Sequence, residues 1–361
     1  MHDERRILER SNLDCTEVLS NNPTRIDPAK RWSSTEKIDR PLGNCCQFFH
    51  DSRCFETRPH RIVGRVSRAR RSTSINTREA KQPTGVSIVR IASIEIGNGA
   101  PLALIAGLNV LESEAQTLDA ARRFGAIAKR HDLPLIFKAS FDKANRSKVS
   151  AYRGPGIDAG LEILATVKRA TDLPIITDVH EPEQAKLASK VVDCLQVPAF
   201  LCRQTDLLAA CAATGLPVNV KKGQFIAPAN MQAVVEKLSH FGCDNVLLTD
   251  RGTQFGYNDL VADMSSLVVM RDFAPVCFDA THAVQQPGAL DGASGGRREI
   301  VAPLARAAVA VGIDVLFLEA HSAPASAPVD GPSQITFDEL DSLLGTVCLL
   351  DQVVRASEQS G

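Results

Sequence analysis

Long apolar runs are missing from this chain. No stretch approaches the ~18–20 uninterrupted apolar residues of a membrane span. Yet 44% of the 361 residues are hydrophobic, enough for a sizeable core in one large domain or two ordinary ones. Paired Cys-x-x-Cys spacing is missing too. Ten cysteines fall at 15, 45, 46, 54, 194, 202, 211, 243, 277 and 348. That scatter forms no compact disulfide framework, and it reads as reduced thiols in a cytosolic protein, with Cys194 and Cys277 in core strands. Net charge is nearly absent, at −1. The balance conceals a split, because residues 1–85 carry 17 Lys and Arg against 11 Asp and Glu, and the remainder carries 24 against 31.

Residues 1–85 also lack sustained apolar periodicity. They are rich in Arg, Ser, Thr and Asn, hold the only tryptophan, Trp32, and read as a disordered extension. Their acidic residues argue against a transit peptide. A zinc site from Cys45, Cys46, Cys54, His50 and His60 lacks the spacing. Nucleic-acid binding by Arg65, Arg68, Arg70 and Arg71 rests on composition alone. The favoured reading is a dispensable extension, such as a start codon placed too far upstream would produce. No nucleic-acid or membrane partner is expected.

From residue 86 the pattern becomes regular. Val86–Ile91 and Ala92–Ile96, closed by Gly97-Asn98-Gly99, predict a short hairpin. Apolar runs then occur at 101–108, 133–138, 173–177, 192–197, 217–220, 245–249, 275–279 and 314–318. They alternate with helix-like segments near 113–131, 157–171, 182–190, 203–214, 229–241, 258–272, 299–311 and 336–356. Eight strand–helix units over this length predict a (β/α)8 TIM barrel spanning 86–361. A doubly wound open sheet is disfavoured, because polar residues cluster after nearly every strand rather than at one switch point.

Catalytic groups of a barrel lie at the C-terminal ends of its strands. Those positions hold Asn109; Lys138, Ser140 and Lys143, with Asn145, Arg146 and Ser147 in the loop; Asp178 and His180; and Gln196, followed by Ala199, Phe200 and Arg203. They continue with Asn219, Lys221 and Lys222; Asp250 and Arg251; Asp279 and His282; and Glu319, His321 and Asp330. Taken singly, each is an ordinary solvated or hydrogen-bonded residue. Together, Lys138, Lys143, Lys221 and Arg251 would repel one another in one mouth unless anions fill it. Acids could neutralise them in a structural network, but a multiply charged phosphate substrate fits better.

These residues carry a resemblance. Lys138-Ala-Ser-Phe-Asp-Lys-Ala-Asn-Arg-Ser147 with Arg153-Gly-Pro-Gly156 resembles the signature of the 3-deoxy-D-manno-octulosonate 8-phosphate synthase family. Asn109–Ser113, Thr177–Pro182, Gln196–Phe200, Arg203–Asp206, Asn219–Lys222, Asp250–Gly252, Phe278–His282, Ala293–Arg298 and Asp330–Ser333 extend it in unbroken order over about 86–357. The resemblance implies condensation of phosphoenolpyruvate with D-arabinose 5-phosphate and water, giving the eight-carbon keto-sugar acid phosphate and inorganic phosphate. It assigns Lys138, Ser140, Lys143, Gln196, Ala199, Lys221 and Arg251 to phosphoenolpyruvate. It assigns Asn145, Arg146, Ser147 and Phe200 to the sugar phosphate, joined by Arg203 from a neighbouring subunit of a homotetramer. Asn109, His282, Glu319 and Asp330 become catalytic, and Asp178 and His180 are further candidates. His282, or a water held by Asp330, would supply the proton for the forming alkoxide.

The resemblance also bears on metal use. His282, Glu319 and Asp330 match three ligands of the family's metal-requiring branch, whose fourth is a cysteine. Here that position is Asn109, a poor ligand beside a thiolate. The metal-independent type is therefore expected, with no metal or other cofactor. Val329 departs from the Cys or Ser common before Asp330. The nearest rival is a 3-deoxy-D-arabino-heptulosonate 7-phosphate synthase, whose corresponding loop reads Lys-Pro-Arg-Thr where this chain has Lys143-Ala-Asn-Arg-Ser147. A catalytically silent sugar-phosphate binder is the rival from another class.

Overall fold

Eight short strands, every residue of each buried, stand side by side at the centre of the computed structural model, which describes residues 88–255, 257–290 and 293–359. The expected extension over 1–85 lies outside the described residues. A two-stranded hairpin comes first, β1 (Val89–Ile91) and β2 (Ile94–Ile96), paired antiparallel as expected. The alternation that follows is β3 (Ala103–Val110), α1 (Glu114–Arg130), β4 (Leu135–Ser140), α2 (Ile157–Thr171), β5 (Ile175–Asp178), α3 (Pro182–Ala188), β6 (Cys194–Val197), α4 (Thr205–Ala212), β7 (Val218–Lys221), α5 (Gln232–His240) and β8 (Val246–Asp250). After a small hairpin of β9 (Thr253–Gln254) and β10 (Leu260–Val261) come α6 (Met264–Arg271), β11 (Val276–Asp279) and the single turn α7 (Ala280–Ala283). A second hairpin, β12 (Gln285–Leu290) and β13 (Ala293–Gly296), leads to α8 (Val301–Val311), β14 (Val315–Glu319) and α9 (Phe337–Gln359).

Strands β3 to β8, then β11 and β14, pair in parallel and close into a barrel in that order. Both faces of a parallel barrel strand are covered, so the apolar runs are continuous rather than alternating. The register forces one residue choice. Gly107 of β3 faces Lys138 of β4, and a Cβ there would sit 1.8 Å from the Lys138 carbonyl oxygen.

One departure from the sequence reading falls in a loop. The helix expected over 258–272 begins only at Met264, where Asp263 caps it by accepting from Ser265 N; the residues before it form β10.

One core lies between barrel and helices, and a second fills the barrel interior. The interior core includes Ile105, Ile136, Ile176, Leu247, Cys277 and Phe317, with Val89, Ile91 and Ile96 of the hairpin packed among them. Each of those hairpin side chains contributes about 1.5–3 kcal/mol by burial. Asn245, just before β8, pins the hairpin by accepting from Arg90 N at 2.8 Å and donating to Arg90 O at 3.0 Å. Cys194, Cys202, Cys211, Cys243 and Cys277 are buried free thiols. No helix among the described residues is long and apolar enough to cross a membrane.

Candidate active site at the barrel mouth

The C-terminal ends of the strands converge as a TIM barrel requires, and two adjoining pockets of about 350 and 130 Å³ open there. The larger is walled by Lys138, Asp178, His180, Gln196, Ala199 and Lys221, with Phe200 at its lip. The smaller is walled by Arg146, Val329 and Asp330. Lys143, Asn145, Ser147, Arg251 and His282 line both. Asn109, Ser140 and Glu319 form a buried layer beneath. Of the residues assigned to substrate from the sequence, Arg203 stands apart. It is exposed and outside the wall of both pockets, with its carbonyl held by Lys237 Nζ at 3.1 Å.

The loop after β4 is folded back onto its own strand. Lys143 N donates to Arg153 O at 2.7 Å, Gly156 N donates to Phe141 O at 3.1 Å, and the Arg153 guanidinium pairs with Asp142. Gly154, at φ +116°, allows this return, since a Cβ there would lie 2.4 Å from the Phe141 carbonyl oxygen. Lys143 and the Asn145–Ser147 run are thereby turned toward the mouth.

The four cations do not behave alike. Lys138 Nζ lies 2.7 Å from Glu319 Oε1 and 3.2 Å from the Asn109 carbonyl oxygen, at 1% exposure. Burial alone would depress its pKa, but Glu319, Asp178 and Asp279 outweigh burial and raise it. Lys221 pairs with Asp279, and its Nζ sits 3.9 Å from the centre of the Phe317 ring. Lys143 and Arg251 have no carboxylate oxygen within 4.0 Å among the described residues. Burial, reinforced by the neighbouring Lys138 charge, lowers the Lys143 pKa to about 8. Burial likewise lowers that of Arg251, whose guanidinium donates to Gln285 Oε1. The expectation of four mutually repelling cations is therefore corrected: Lys138 and Lys221 are neutralised by buried acids, while Lys143 and Arg251 keep unpaired charge.

Acidic groups complete the floor. Asp279 accepts from His282 N at 2.9 Å and Thr281 Oγ1 at 3.1 Å, and its Oδ2 lies 2.7 Å from His282 Nδ1. Burial opposes ionisation of Asp279, but His282 and Lys221 hold its pKa far below the usual range. Burial lowers the His282 pKa against the pull of Asp279 and Glu319. Glu319, also buried, is brought down to about 2 by His282, Lys138 and Lys143. The Asn109 amide nitrogen donates to Glu319 Oε2 at 2.6 Å and to Asp330 Oδ2 at 3.1 Å. Its Oδ1 is buried without a donor among the described residues. On the opposite wall, Ser140 Oγ donates to Asp178 Oδ1, and Asp178 Oδ2 lies 3.0 Å from His180 Nε2. Burial works against both charges, but their mutual contact lowers the Asp178 pKa and raises that of His180.

Three strand-end residues noted in the sequence serve the scaffold. Lys222 Nζ reaches Thr253 Oγ1 at 3.1 Å, Asp250 accepts from Gly252 N and Ser266 Oγ, and His321 Nε2 lies 2.9 Å from Glu112 Oε1. Gln285 and Ser294, on the β12–β13 hairpin, line both pockets and were not anticipated. Nothing in their local sequence marks a strand end, since the hairpin is an insertion after α7.

A parallel barrel whose mouth offers two uncompensated cations beside a donor-rich loop belongs to the enzymes that handle phosphorylated anions. The sequence profile of the DAHP synthetase I family matches residues 74–355, and the chain belongs to that family. Within it, the chain is 53% identical over 268 residues to the 2-dehydro-3-deoxyphosphooctonate aldolase of Geobacter metallireducens, covering 74% of this chain and 98% of that one. The enzyme of the same name from Trichlorobacter lovleyi is 53% identical over 266 residues, covering 73% and 98%. That of Rickettsia bellii is 51% identical over 269 residues, covering 74% and 98%.

Proposed function

We propose that this chain is a 3-deoxy-D-manno-octulosonate 8-phosphate synthase, the activity that the name 2-dehydro-3-deoxyphosphooctonate aldolase describes in its relatives. It joins phosphoenolpyruvate to D-arabinose 5-phosphate with water and releases inorganic phosphate. The observation that carries the reading is the pair of unneutralised cations, Lys143 and Arg251, on a wall shared with Asn145 and Ser147. The seven-carbon alternative is not favoured, since relatives at 50–53% identity bear the octonate name.

Carbon 3 of the enol attacks the aldehyde carbon while positive character grows at carbon 2. Water adds there, and phosphate then leaves with the C–O bond. Holding two phosphorylated anions together costs Coulomb energy that Lys143, Arg251 and Arg146 offset. Lys138 and Lys221, already paired with acids, act as oriented hydrogen-bond donors more than as net charge. His282 is neutral near pH 7 because burial disfavours its cation. Its Nδ1 lies 2.7 Å from Asp279 Oδ2 and its Nε2 3.5 Å from Glu319 Oε2. In this reading neutral His282 takes a proton from the adding water and the resulting cation returns it to the alkoxide formed at the aldehyde carbon. The unpartnered Asn109 Oδ1 offers an acceptor beside His282.

The donor set does not suit a catalytic metal. The Asn109 NH2 group can only donate, and it already occupies oxygens of Glu319 and Asp330 that would otherwise ligate. We therefore read the enzyme as the metal-independent type.

Arg203 serves the sugar phosphate of a neighbouring subunit in this proposal. Its exposure, and that of the aromatics Phe200, Phe225, Phe255 and Tyr257 at 55%, 64%, 77% and 99%, support a homotetramer with shared sites. The buried free thiols suit the cytoplasm. Residues 86–361 form the synthase domain in this reading, and deleting 1–85 should leave turnover intact.

The test is phosphate release from phosphoenolpyruvate. Release that depends on arabinose 5-phosphate, with erythrose 4-phosphate a poor substitute, is the expected result. Equal turnover of both aldoses, or none, would overturn the reading.

A further inference from the structure

Arg251 ends strand β8 at the mouth, and its recorded side-chain partner is neutral. Gln285 Oε1 accepts from its Nη2, and Gln285 is 6% exposed at the start of β12. This contrasts with Lys138 and Lys221, each locked to a buried carboxylate. A buried guanidinium without any acceptor would lose hydrogen-bond energy, and one facing a carboxylate would lose its free charge. An amide oxygen avoids both losses. It fixes the planar fork in one orientation and leaves the charge for a ligand.

The hairpin that carries Gln285 does not depend on this contact for its seat. The next residue, Gln286, donates to Asp259 Oδ1 at 3.4 Å, and Arg297 on the far side of the hairpin reaches the same oxygen at 3.6 Å. Those two links dock the hairpin on the loop after β8 independently of Gln285. Altering Gln285 therefore perturbs the arginine more than the backbone.

We propose that Gln285 is a positioning residue for the phosphoenolpyruvate site: its amide oxygen aims the Arg251 guanidinium at the bound anion without cancelling its charge. The proposal rests on the synthase reading for the identity of the anion. It separates two functions that a carboxylate would confound, holding a cation in place and keeping it cationic.

Steady-state kinetics of the full chain test it, with phosphoenolpyruvate binding measured by calorimetry. Q285M removes the acceptor at similar volume and should raise the KM for phosphoenolpyruvate roughly five- to tenfold, the loss of about one charge-assisted hydrogen bond. The KM for arabinose 5-phosphate should stay the same. Q285E keeps the shape and adds a competing carboxylate, so it should weaken phosphoenolpyruvate binding by about a further tenfold. In an R251K background, Q285M should change phosphoenolpyruvate affinity less than about twofold, because a residue that acts through Arg251 has nothing left to position.

Three outcomes would overturn the proposal: equal rises in both KM values, a Q285E protein that binds phosphoenolpyruvate no worse than Q285M, or an undiminished Q285M effect in the R251K background. Q285E, isosteric with the native side chain, decides the matter against wild type if Q285M does not fold. Should the wild type release no phosphate, the synthase reading fails, while the phosphoenolpyruvate-binding comparison still judges Gln285.

Discussion

The Asn109 side-chain nitrogen lies 2.6 Å from Glu319 Oε2, and the same group reaches Asp330 Oδ2 at 3.1 Å. One neutral donor thus joins two carboxylates that would otherwise repel each other. It performs by hydrogen bonding what a cation would do by charge.

Chelation should therefore leave the rate unchanged. Turnover measured after prolonged treatment with EDTA or dipicolinate and gel filtration should equal that of untreated protein. Activity lost to chelation and restored by a divalent metal would mean that Asn109 does not replace a ligand.

The Lys138–Glu319 pair is buried on both sides, with side-chain exposures of 1% and 2%. Lys138→Met should destabilise the fold by about 3–5 kcal/mol, because it strands a carboxylate. Urea unfolding midpoints measure this. The folded Glu319 pKa of about 2 lies below the ordinary 4.5. Its stabilisation is thus fully present above pH 4.5 and is lost as pH falls toward 2. Glu319→Gln should accordingly flatten the acid limb of the stability profile.

Lys143 should set an alkaline limit on phosphoenolpyruvate capture. With its pKa at about 8, the free enzyme loses this charge as pH rises through that value. The kcat/KM for phosphoenolpyruvate should then fall above pH 8, and Lys143→Arg should remove the inflection. Stability moves the other way. Between about 8 and the ordinary 10.5 the unfolded chain binds more protons, so the ligand-free fold gains stability with pH across that window. A flat kcat/KM profile from pH 7 to 9.5 would contradict the assignment.

The exposed aromatics should govern assembly. Replacing Phe255 and Tyr257 together by Ser should shift the protein toward smaller species in light scattering. Arg203→Ala should raise the KM for arabinose 5-phosphate about tenfold or more, the usual scale for a lost charged contact, with that for phosphoenolpyruvate unchanged. Wild-type protein that runs as an active monomer would refute the shared site.

Much of this was legible in the chain itself. Barrel strands are buried on both faces, so their apolar runs stand out, and all eight expected segments overlap the observed strands. Strand ends are also where a barrel puts its chemistry, which is why Asn109, Lys138, Lys221 and Glu319 could be named. Pairing was not legible. That Lys138 meets Glu319 across 181 residues, while Lys143, five residues from Lys138, pairs with no acid among the described residues, depends on register and loop path. Lys222 shows the same limit. It adjoins Lys221, but strand alternation sends it outward to Thr253. Gln285 was missed because polar residues in inserted hairpins carry no periodic signal.

The hairpin that packs Val89, Ile91 and Ile96 into the barrel interior has a kinetic corollary. With that end stoppered and Phe317 and Cys277 filling the interior, the described residues leave their pockets open at the mouth, so reactants and products exchange there rather than along the barrel axis. Ligand exchange is thereby tied to the loops of the mouth and not to the barrel's closed end.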